Sequence, residues 1–511
     1  MDAAIIDRCY ALARQVAADT LRHIDGRTTV SVERSVVRLY GVDGVNELNI
    51  PLPNVFVDAV KRVHGLQRGS AYWLAAGMCK LDAYPQQVAE AVAVGELDLR
   101  ELARLDPFDV RRVMNRAAHD ALDNLRKRNE PRKSLRMSSD SSNVPLLYVL
   151  TATGNVYEDV VHSRAVAENG GDIIAVIRST AQSLLDYVPF GPTTEGFGGT
   201  YATQENFRIM RTALDEWSEK NGRYVRLSSF CSGLCMPEIA VIGAMEGFDN
   251  MVNDALYGIL YRDINMVRTL VDQYFSRRVN AYFGITINTG EDNYLRTDDA
   301  VKAAPSVVAS QLINYELARA SGIPDQHIGI GNAFEIHPEM KDGLLMEVAQ
   351  AQLTRELFPN CPVKYMPPTR HMNGNLFRTH ANDTLFNLVS VMTGQAIQTL
   401  GVPTEGIFTP HIHDRVLGLE SATYVHSFGH SLSDEISFKK DGIIQKRAQQ
   451  VLVEAAHMLE SIAQTGLFAA IAGKTFGNVS RGVNEGRGFD GIVETGPDYI
   501  NPFLEAMEGA T

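Results

Sequence analysis

The stretch LLYVLTATGNVYEDVVHSRAVAENGGDIIAVI, residues 146–177, shows which fold to expect. It begins with the apolar run Leu146–Leu150, continues with a helical pattern over Val156–Asn169 and ends with a second apolar run, Ile173–Ile177. Short apolar runs that alternate with longer amphipathic segments are typical of parallel βα units, whose strands are buried on both faces. The stretch therefore predicts a strand, a helix and a neighbouring parallel strand.

The same alternation continues toward the C-terminus. Further strands are predicted at Tyr224–Ser228, Ala255–Ile259, Ala281–Ile287, Ile328–Phe334, Pro362–Met366 and Gly406–Thr409. Helical patterns separate most of them, at Glu205–Asn221, Pro237–Gly247, Ser306–Ser321 and Gly343–Phe358. The fourth of these eight strands, Ala255–Ile259, is the weakest prediction, because the pattern around it fits a helix equally well.

Eight parallel βα units close into a barrel, so the predicted fold class is α/β, a (β/α)8 TIM-type barrel. An open doubly wound sheet is the alternative. Its usual phosphate signature is G-x-G-x-x-G after the first strand, and the nearest text, GIGNAF at 329–334, lacks the last glycine.

Two further regions flank the predicted barrel, which spans residues 144–430. Residues 1–128 form an accessory N-terminal helical region, and the polar stretch 129–143 that follows it predicts a linker. Residues 431–511 form a C-terminal extension with helices, one of them long, at Ile443–Thr465. Its Gly-rich tail, Ala472–Gly491, is interpreted as a surface loop, with a lid or a partner-facing loop as alternatives.

Composition and charge restrict the partners. The net charge of −13 argues against nucleic acid, and no stretch approaches the roughly 20 apolar residues of a membrane span. The N-terminus lacks a secretory signal, and the five cysteines are scattered, which favours reduced thiols and a cytoplasmic location. The close pair Cys231 and Cys235 has no third thiolate nearby, so an iron–sulfur cluster is rejected.

Positions just after the barrel strands should carry the chemistry, since side chains there face the active site. Arg178 and Ser183 follow the second strand, and an arginine with hydroxyls there indicates a phosphate cradle, or alternatively ordinary turns and helix caps. Ser232 follows the third strand. It is interpreted as a helix cap, or as a partner for a cofactor ring nitrogen that stays unprotonated, which suits radical chemistry.

Four more residues are candidates at the later strands. Tyr257 would stack on a flat cofactor or pack in the core, and Asp292, in an acidic loop, would hold a substrate ammonium group. Lys364 lies within an apolar strand, where a lysine is costly to bury unless it is paired or functional. It would bind a carboxylate or form a Schiff base. Glu405 is predicted to open the eighth strand.

Histidines near the end of the barrel allow an alternative function, that of a metal-dependent enzyme. His411 and His413 with Asp414, and the spaced pair His426 and His430, would suit a metal-dependent amidohydrolase-type barrel. The alternative interpretation is a set of hydrogen-bonded histidines, and the site prediction carries no metal.

Five runs of the chain carry a resemblance to a known family. They are DIIAVIRSTAQSLLDYVP (172–189), TTEG (193–196), YRDINM (261–266), NTGEDNY (288–294) and KYMPPT (364–369). These runs resemble the α subunit of lysine 5,6-aminomutases, and the similarity extends over nearly the whole chain. The large component of ornithine 4,5-aminomutase is a more distant relative.

This resemblance implies an isomerase that shifts an amino group with pyridoxal 5′-phosphate (PLP) and adenosylcobalamin. The substrate would be D-lysine or β-lysine. A small β subunit would bind the cobalamin and supply the lysine of the resting aldimine, in an α2β2 heterotetramer. The Asp-x-His-x-x-Gly motif for cobalamin is missing here, since the nearest text, DQHIGI at 325–330, ends in isoleucine.

The resemblance also implies roles for the candidate residues. Arg178 and Ser183 would hold the phosphate of PLP, Ser232 would face its ring nitrogen and Tyr257 would stack on the ring. Asp292 would bind a substrate amine, Lys364 the substrate carboxylate, and Glu405 would lie near the adenosyl group. Three alternatives remain at this point: an ornithine 4,5-aminomutase, the amidohydrolase, and a non-catalytic scaffold that binds a phosphate cofactor.

Overall fold

The central feature of the fold is a closed barrel of eight parallel strands. The computed structural model describes residues 1–103, 105–139, 145–176, 181–297, 299–333, 336–367 and 369–509. The strands, in chain order, are β1 (Arg27–Thr29), β2 (Leu146–Leu150), β3 (Ile173–Val176), β4 (Arg226–Phe230), β5 (Asn250–Val252), β6 (Thr286–Thr289), β7 (Ile328–Asn332), β8 (Lys364–Tyr365), β9 (Ile397–Thr399) and β10 (Ile492–Glu494). Strands β2 to β9 form the barrel in sequence order, which confirms the predicted fold class.

Helices surround the barrel and extend it at both ends of the chain. They are α1 (Ala3–Ile24), α2 (Val30–Leu39), α3 (Leu52–Arg62), α4 (Ser70–Leu81), α5 (Pro85–Ala93), α6 (Leu99–Leu102), α7 (Pro107–Ser139), α8 (Val156–Glu168), α9 (Gln204–Asn221), α10 (Met236–Glu246), α11 (Met266–Phe283), α12 (Ala300–Ala320), α13 (Gly343–Leu357), α14 (Leu376–Met392), α15 (Ile412–Phe428), α16 (Leu432–Glu435), α17 (Ile443–Thr465), α18 (Leu467–Ala472) and α19 (Pro502–Glu508). Among the described residues, no helix is long and apolar enough to cross a membrane.

The first βα unit folds as its sequence predicts, for local reasons. Asn155 caps α8 by accepting a hydrogen bond from the Tyr157 N–H, and the apolar strand β2 pairs in parallel with β3. The predicted strand end Ile177 lies outside the described residues, as does Phe334 at the end of the sixth predicted strand.

Two of the predicted strands are wrong. The fourth strand is Asn250–Val252, and the residues predicted there form a helical segment that includes the π-helical turn Tyr257–Tyr261. The eighth strand is Ile397–Thr399, so Glu405 does not open a strand but follows one. In both cases the true strand is only three residues long and its pairing is set by the neighbouring strands. So short a run carries little periodicity of its own.

The flanking regions also differ from the prediction in one place. Helix α7 continues through the basic run to Ser139, so most of the predicted linker is helical. The N-terminal strand β1 pairs antiparallel with β10, and α1 packs against α12 and α17. The two ends of the chain therefore meet on the outside of the barrel.

The register of the barrel fixes which side chains point inward, because register partners on parallel strands share a face. A separate apolar cluster of Tyr148, Ile173, Ala175 and Ile397 marks that inner face on β2, β3 and β9. Continued around the barrel, the same register turns Asn288 of β6, Gly331 of β7 and Lys364 of β8 inward. The inside of the barrel is thus apolar on one side and polar on the other.

Candidate active site

The lysine of β8 is the central side chain of the site. Lys364 is register partner to Gly331 and Ile397 and is only 4% exposed. Its ammonium lies 4.4 Å from the centre of the Tyr148 ring, whose hydroxyl is 3.1 Å from that of Ser228. Within the described part of the chain, the ammonium has no hydrogen bond or ion pair. A buried cation that contacts an aromatic ring and makes no direct ion pair is suited to bind an anionic group.

A second charged side chain in the barrel, Glu291, was missed by the sequence reasoning. It is 2% exposed, and its Oε2 atom has no hydrogen-bond partner among the described residues. Burial raises the pKa of Glu291, and the positive charge of Lys364 opposes that rise. The available sequence signal was weak: Glu291 directly precedes Asp292 in the acidic loop. Only the structure shows that the neighbouring strand β7 carries the inward-facing Gly331.

The loop that carries Asp292 is held in place by hydrogen bonds that involve side chains. The Gly290 N–H donates to the Asp254 carboxylate at 2.5 Å, and Asn293 donates to the Ser306 hydroxyl at 3.2 Å. Asp292 itself is 7% exposed and begins a 3-10 turn, Asp292–Arg296. That turn packs against the segment containing Tyr257, so the structure brings these two predicted residues into one neighbourhood.

The segments that carry Ser183 and Ser232 pack against each other beyond the ends of β3 and β4. Ser183 and Ser232 are each 1% exposed, and the Ser232 hydroxyl has no partner among the described residues. The glycine between the two segments permits this approach, since a Cβ on Gly233 (φ +90°) would lie 2.8 Å from the Ser183 Cα. A buried hydroxyl without a partner fits a hydrogen bond to a bound group.

Tyr257 begins the π-helical turn that follows β5 and is 7% exposed. Its ring packs edge-on against Phe230, the last residue of β4, with centroids 6.2 Å apart. Its hydroxyl accepts a hydrogen bond of 3.2 Å from the Arg262 guanidinium. π-helical turns of this kind often occur at functional sites. The tyrosine is therefore fixed at the barrel mouth beside the end of β4.

The Gly-rich tail supports this turn from outside. Arg481 donates hydrogen bonds to the carbonyls of Ile259 and Leu260, at 2.9 and 3.1 Å. Asn265, which caps α11, donates to the carbonyl of Val483 at 2.7 Å. In the structure the tail is thus bound to the segment that carries Tyr257.

Glu405 lies in the segment between β9 and α15. It is half-buried, and it lines a cavity of about 210 Å³ together with Phe408 and Arg415. The burial of Asp383 and, to a lesser extent, the negative charge of Glu405 raise the pKa of Asp383 to about 8. Arg178, predicted to hold a phosphate, lies outside the described residues.

The histidines do not assemble into a cluster. His411 and His413 are exposed at the start of α15, and His430 lies beyond its end. His426 is partly buried, and burial lowers its pKa to about 4. Among the described residues, no group of three or more histidine, cysteine or acidic side chains is placed to hold a metal ion.

Comparison with known proteins identifies the family. The model of the "D-Lysine 5,6-aminomutase TIM-barrel domain of alpha subunit" matches residues 1–506. The chain belongs to this family. It is 50% identical to the lysine 5,6-aminomutase alpha subunit of Acetoanaerobium sticklandii over 507 residues, which is 99% of this chain and 98% of that protein. It is 48% identical to the alpha subunit of Fusobacterium nucleatum over 510 residues, 100% of this chain and 98% of the relative.

A more distant relative is the D-ornithine 4,5-aminomutase subunit beta of Acetoanaerobium sticklandii. It is 26% identical over 377 residues, which is 71% of this chain and 50% of that protein. Membership of the lysine 5,6-aminomutase alpha subunit family makes the chain an aminomutase, an isomerase, which favours this reaction class over the amidohydrolase. An alpha subunit implies a partner subunit.

Proposed function

We propose that this chain is the substrate- and PLP-binding large subunit of a lysine aminomutase. It would convert D-lysine to 2,5-diaminohexanoate, or β-lysine to 3,5-diaminohexanoate, by moving the terminal amino group to the neighbouring carbon. The observation that carries this proposal is Lys364, a buried ammonium that makes no direct ion pair or hydrogen bond within the described residues. Both lysine isomers bring a carboxylate that would complete its coordination.

The acidic loop after β6 supplies the complementary charge. Asp292, at the start of its 3-10 turn, would accept a hydrogen bond from a substrate ammonium group. With Lys364 on the carboxylate and Asp292 on an amine, the substrate is held at two points. Such positioning turns the reaction into one between pre-oriented groups.

The residues at the barrel mouth fit PLP. The partnerless Ser232 hydroxyl offers a hydrogen bond to the ring nitrogen, Ser183 and Arg178 would hold the phosphate, and Tyr257 would stack on the ring. The chemistry that PLP and adenosylcobalamin supply when bound is a radical shift of the amino group between adjacent carbons. The chain contributes orientation and exclusion of water, since each of these residues that the structure describes is at most 7% exposed.

We propose the following division of labour between regions and subunits. Residues 144–430 bind PLP and substrate, and the regions 1–128 and 431–511 support the barrel from outside. A small cobalamin-binding β subunit would supply the aldimine lysine, in a cytoplasmic α2β2 assembly. Glu405, which lines a cavity that Lys364 does not line, would lie near the adenosyl group.

The test is reconstitution with the partner. We expect the chain, mixed with its β subunit, PLP and adenosylcobalamin, to form 2,5-diaminohexanoate from D-lysine and to be inactive alone. Product formation by this chain alone would contradict the two-subunit proposal. The relationship to the ornithine enzyme makes ornithine the second substrate to examine, and faster turnover of ornithine than of lysine would favour that alternative.

A further inference from the structure

The carboxylate of Glu291 occupies the space that a side chain on Gly331 would fill. A Cβ built on Gly331 would lie 1.2 Å from the Glu291 Oε2 atom and 1.7 Å from its carboxyl carbon. Gly331 has no such atom, so the carboxylate rests directly on the backbone of β7. The absence of a side chain on this strand creates the seat for Glu291.

That seat is in the same layer of the barrel as Lys364. Gly331 and Lys364 are register partners on the parallel strands β7 and β8, so side-chain positions on both residues point into the barrel. Glu291 comes from the loop after β6 and reaches across to this layer. The carboxylate and the ammonium are therefore neighbours inside the barrel, although they form no direct ion pair.

The charged groups around this layer influence the pKa of Glu291. Lys364 lowers the pKa of Glu291, which burial and the negative charge of Asp254 raise. An isolated charge of either sign is costly to bury, and a neighbouring opposite charge reduces that cost. Because the two groups are not in direct contact, the ammonium keeps donors for another anion.

We propose that Glu291 is a positioning residue for Lys364: seated on Gly331, its carboxylate holds the ammonium inside the barrel in the orientation that receives the substrate carboxylate. This role rests on the proposed function, because it assumes that Lys364 binds that carboxylate. It differs from the role of Asp292, which contacts a substrate amine.

If Glu291 positions Lys364, its substitution should weaken the binding of ligands only when they carry a carboxylate. In Glu291→Gln, the dissociation constants of D-lysine and of 6-aminohexanoate, which lacks the α-amine, should both rise roughly 10-fold, the effect of weakening one charged hydrogen bond. The dissociation constant of 1,5-diaminopentane, which lacks the carboxylate, should stay unchanged. Titration calorimetry of the α–β complex with PLP alone gives these constants without turnover.

Other outcomes overturn the role. Weaker binding of D-lysine and 1,5-diaminopentane with unchanged 6-aminohexanoate binding would show that Glu291 contacts the amine directly. Equal loss for all three ligands, or no loss for any of them, would reduce Glu291 to a structural residue. A wild-type complex that fails to bind D-lysine would contradict the proposed function before any variant is compared.

Two further variants separate position from folding. Gly331→Ala keeps the carboxylate but displaces it, so it should reproduce the Glu291→Gln pattern, whereas Glu291→Asp should restore part of the affinity for D-lysine. Glu347→Gln is the matched control. Glu347 is also a buried carboxyl group whose pKa burial raises to about 7, but it accepts its hydrogen bond from Tyr365 instead of facing Lys364. This control should bind all three ligands as the wild type does.

Discussion

The two sides of the barrel interior differ in composition although their strands are neighbours. Lys364 and Ile397 are register partners on adjacent strands, yet the first borders Glu291 and the second packs with Ile173 and Ala175. The apolar side consists of ordinary close packing, whereas the polar side contains buried charges that cost stability on their own. The difference indicates that one side holds the barrel together and the other binds the substrate.

Removing the charge of the polar side should have the largest effect. Lys364→Met should lower kcat/KM for D-lysine by roughly 100- to 1000-fold, as expected when one member of a buried charged pair is lost. Stability should fall, since the buried Glu291 carboxylate loses the positive charge beside it. Turnover assays of the α–β complex and thermal unfolding would show both effects. Unchanged turnover would support a non-catalytic scaffold.

The apolar side should respond in the opposite way. Ile173→Ala removes a fully buried side chain and should lower the free energy of unfolding by about 3 kcal/mol, through lost contacts and the cavity left behind. Denaturant titration measures this loss. The KM for D-lysine should stay close to the wild-type value, and a large rise in KM would contradict the division of the barrel into two sides.

The partnerless hydroxyl of Ser232 allows a finer comparison. Ser232→Ala should weaken PLP binding roughly 5- to 10-fold, the net value of one hydrogen bond, without lowering stability. Spectroscopic titration with PLP gives the affinity. The matched control is Ser218→Ala, whose hydroxyl donates to the Leu214 carbonyl at 2.6 Å. It should lose stability and keep its PLP affinity, and a Ser232→Ala variant that behaves in the same way would contradict the cofactor role.

The smallest effect is expected for His426, in helix α15 outside the barrel, and it concerns the pH dependence of stability. Burial lowers the pKa of His426 to about 4 from its ordinary value of 6.5, so the unfolded chain binds more protons between these values. Stability from this residue is therefore complete above about pH 6.5 and declines as the pH falls toward 4. His426→Gln should flatten this decline in thermal unfolding midpoints measured from pH 7 to pH 5. If His426→Gln left the pH profile of stability unchanged, the lowered pKa of His426 would not be the cause of the decline.

Much of the site could be predicted from single residues in their sequence context. Lys364 stood out as a lysine in an apolar strand, and Asp292 as an acid in a loop after another strand; the structure buries both within the barrel mouth. Ser232 and Tyr257 were ambiguous, because a serine after a strand is often a cap and a tyrosine is often core. Their cofactor roles remain predictions.

The sequence by itself determined the order of the βα units and most boundaries of the helices that it predicted, because periodicity and caps act over a few residues. Helix α17 begins and ends where the pattern predicts. Only the tertiary structure decided the short strands β5 and β9, the packing of the segments that carry Ser183 and Ser232 at Gly233, and the seat of Glu291 on Gly331. Each of these depends on the register between strands distant in sequence, and that register is fixed only when the barrel closes.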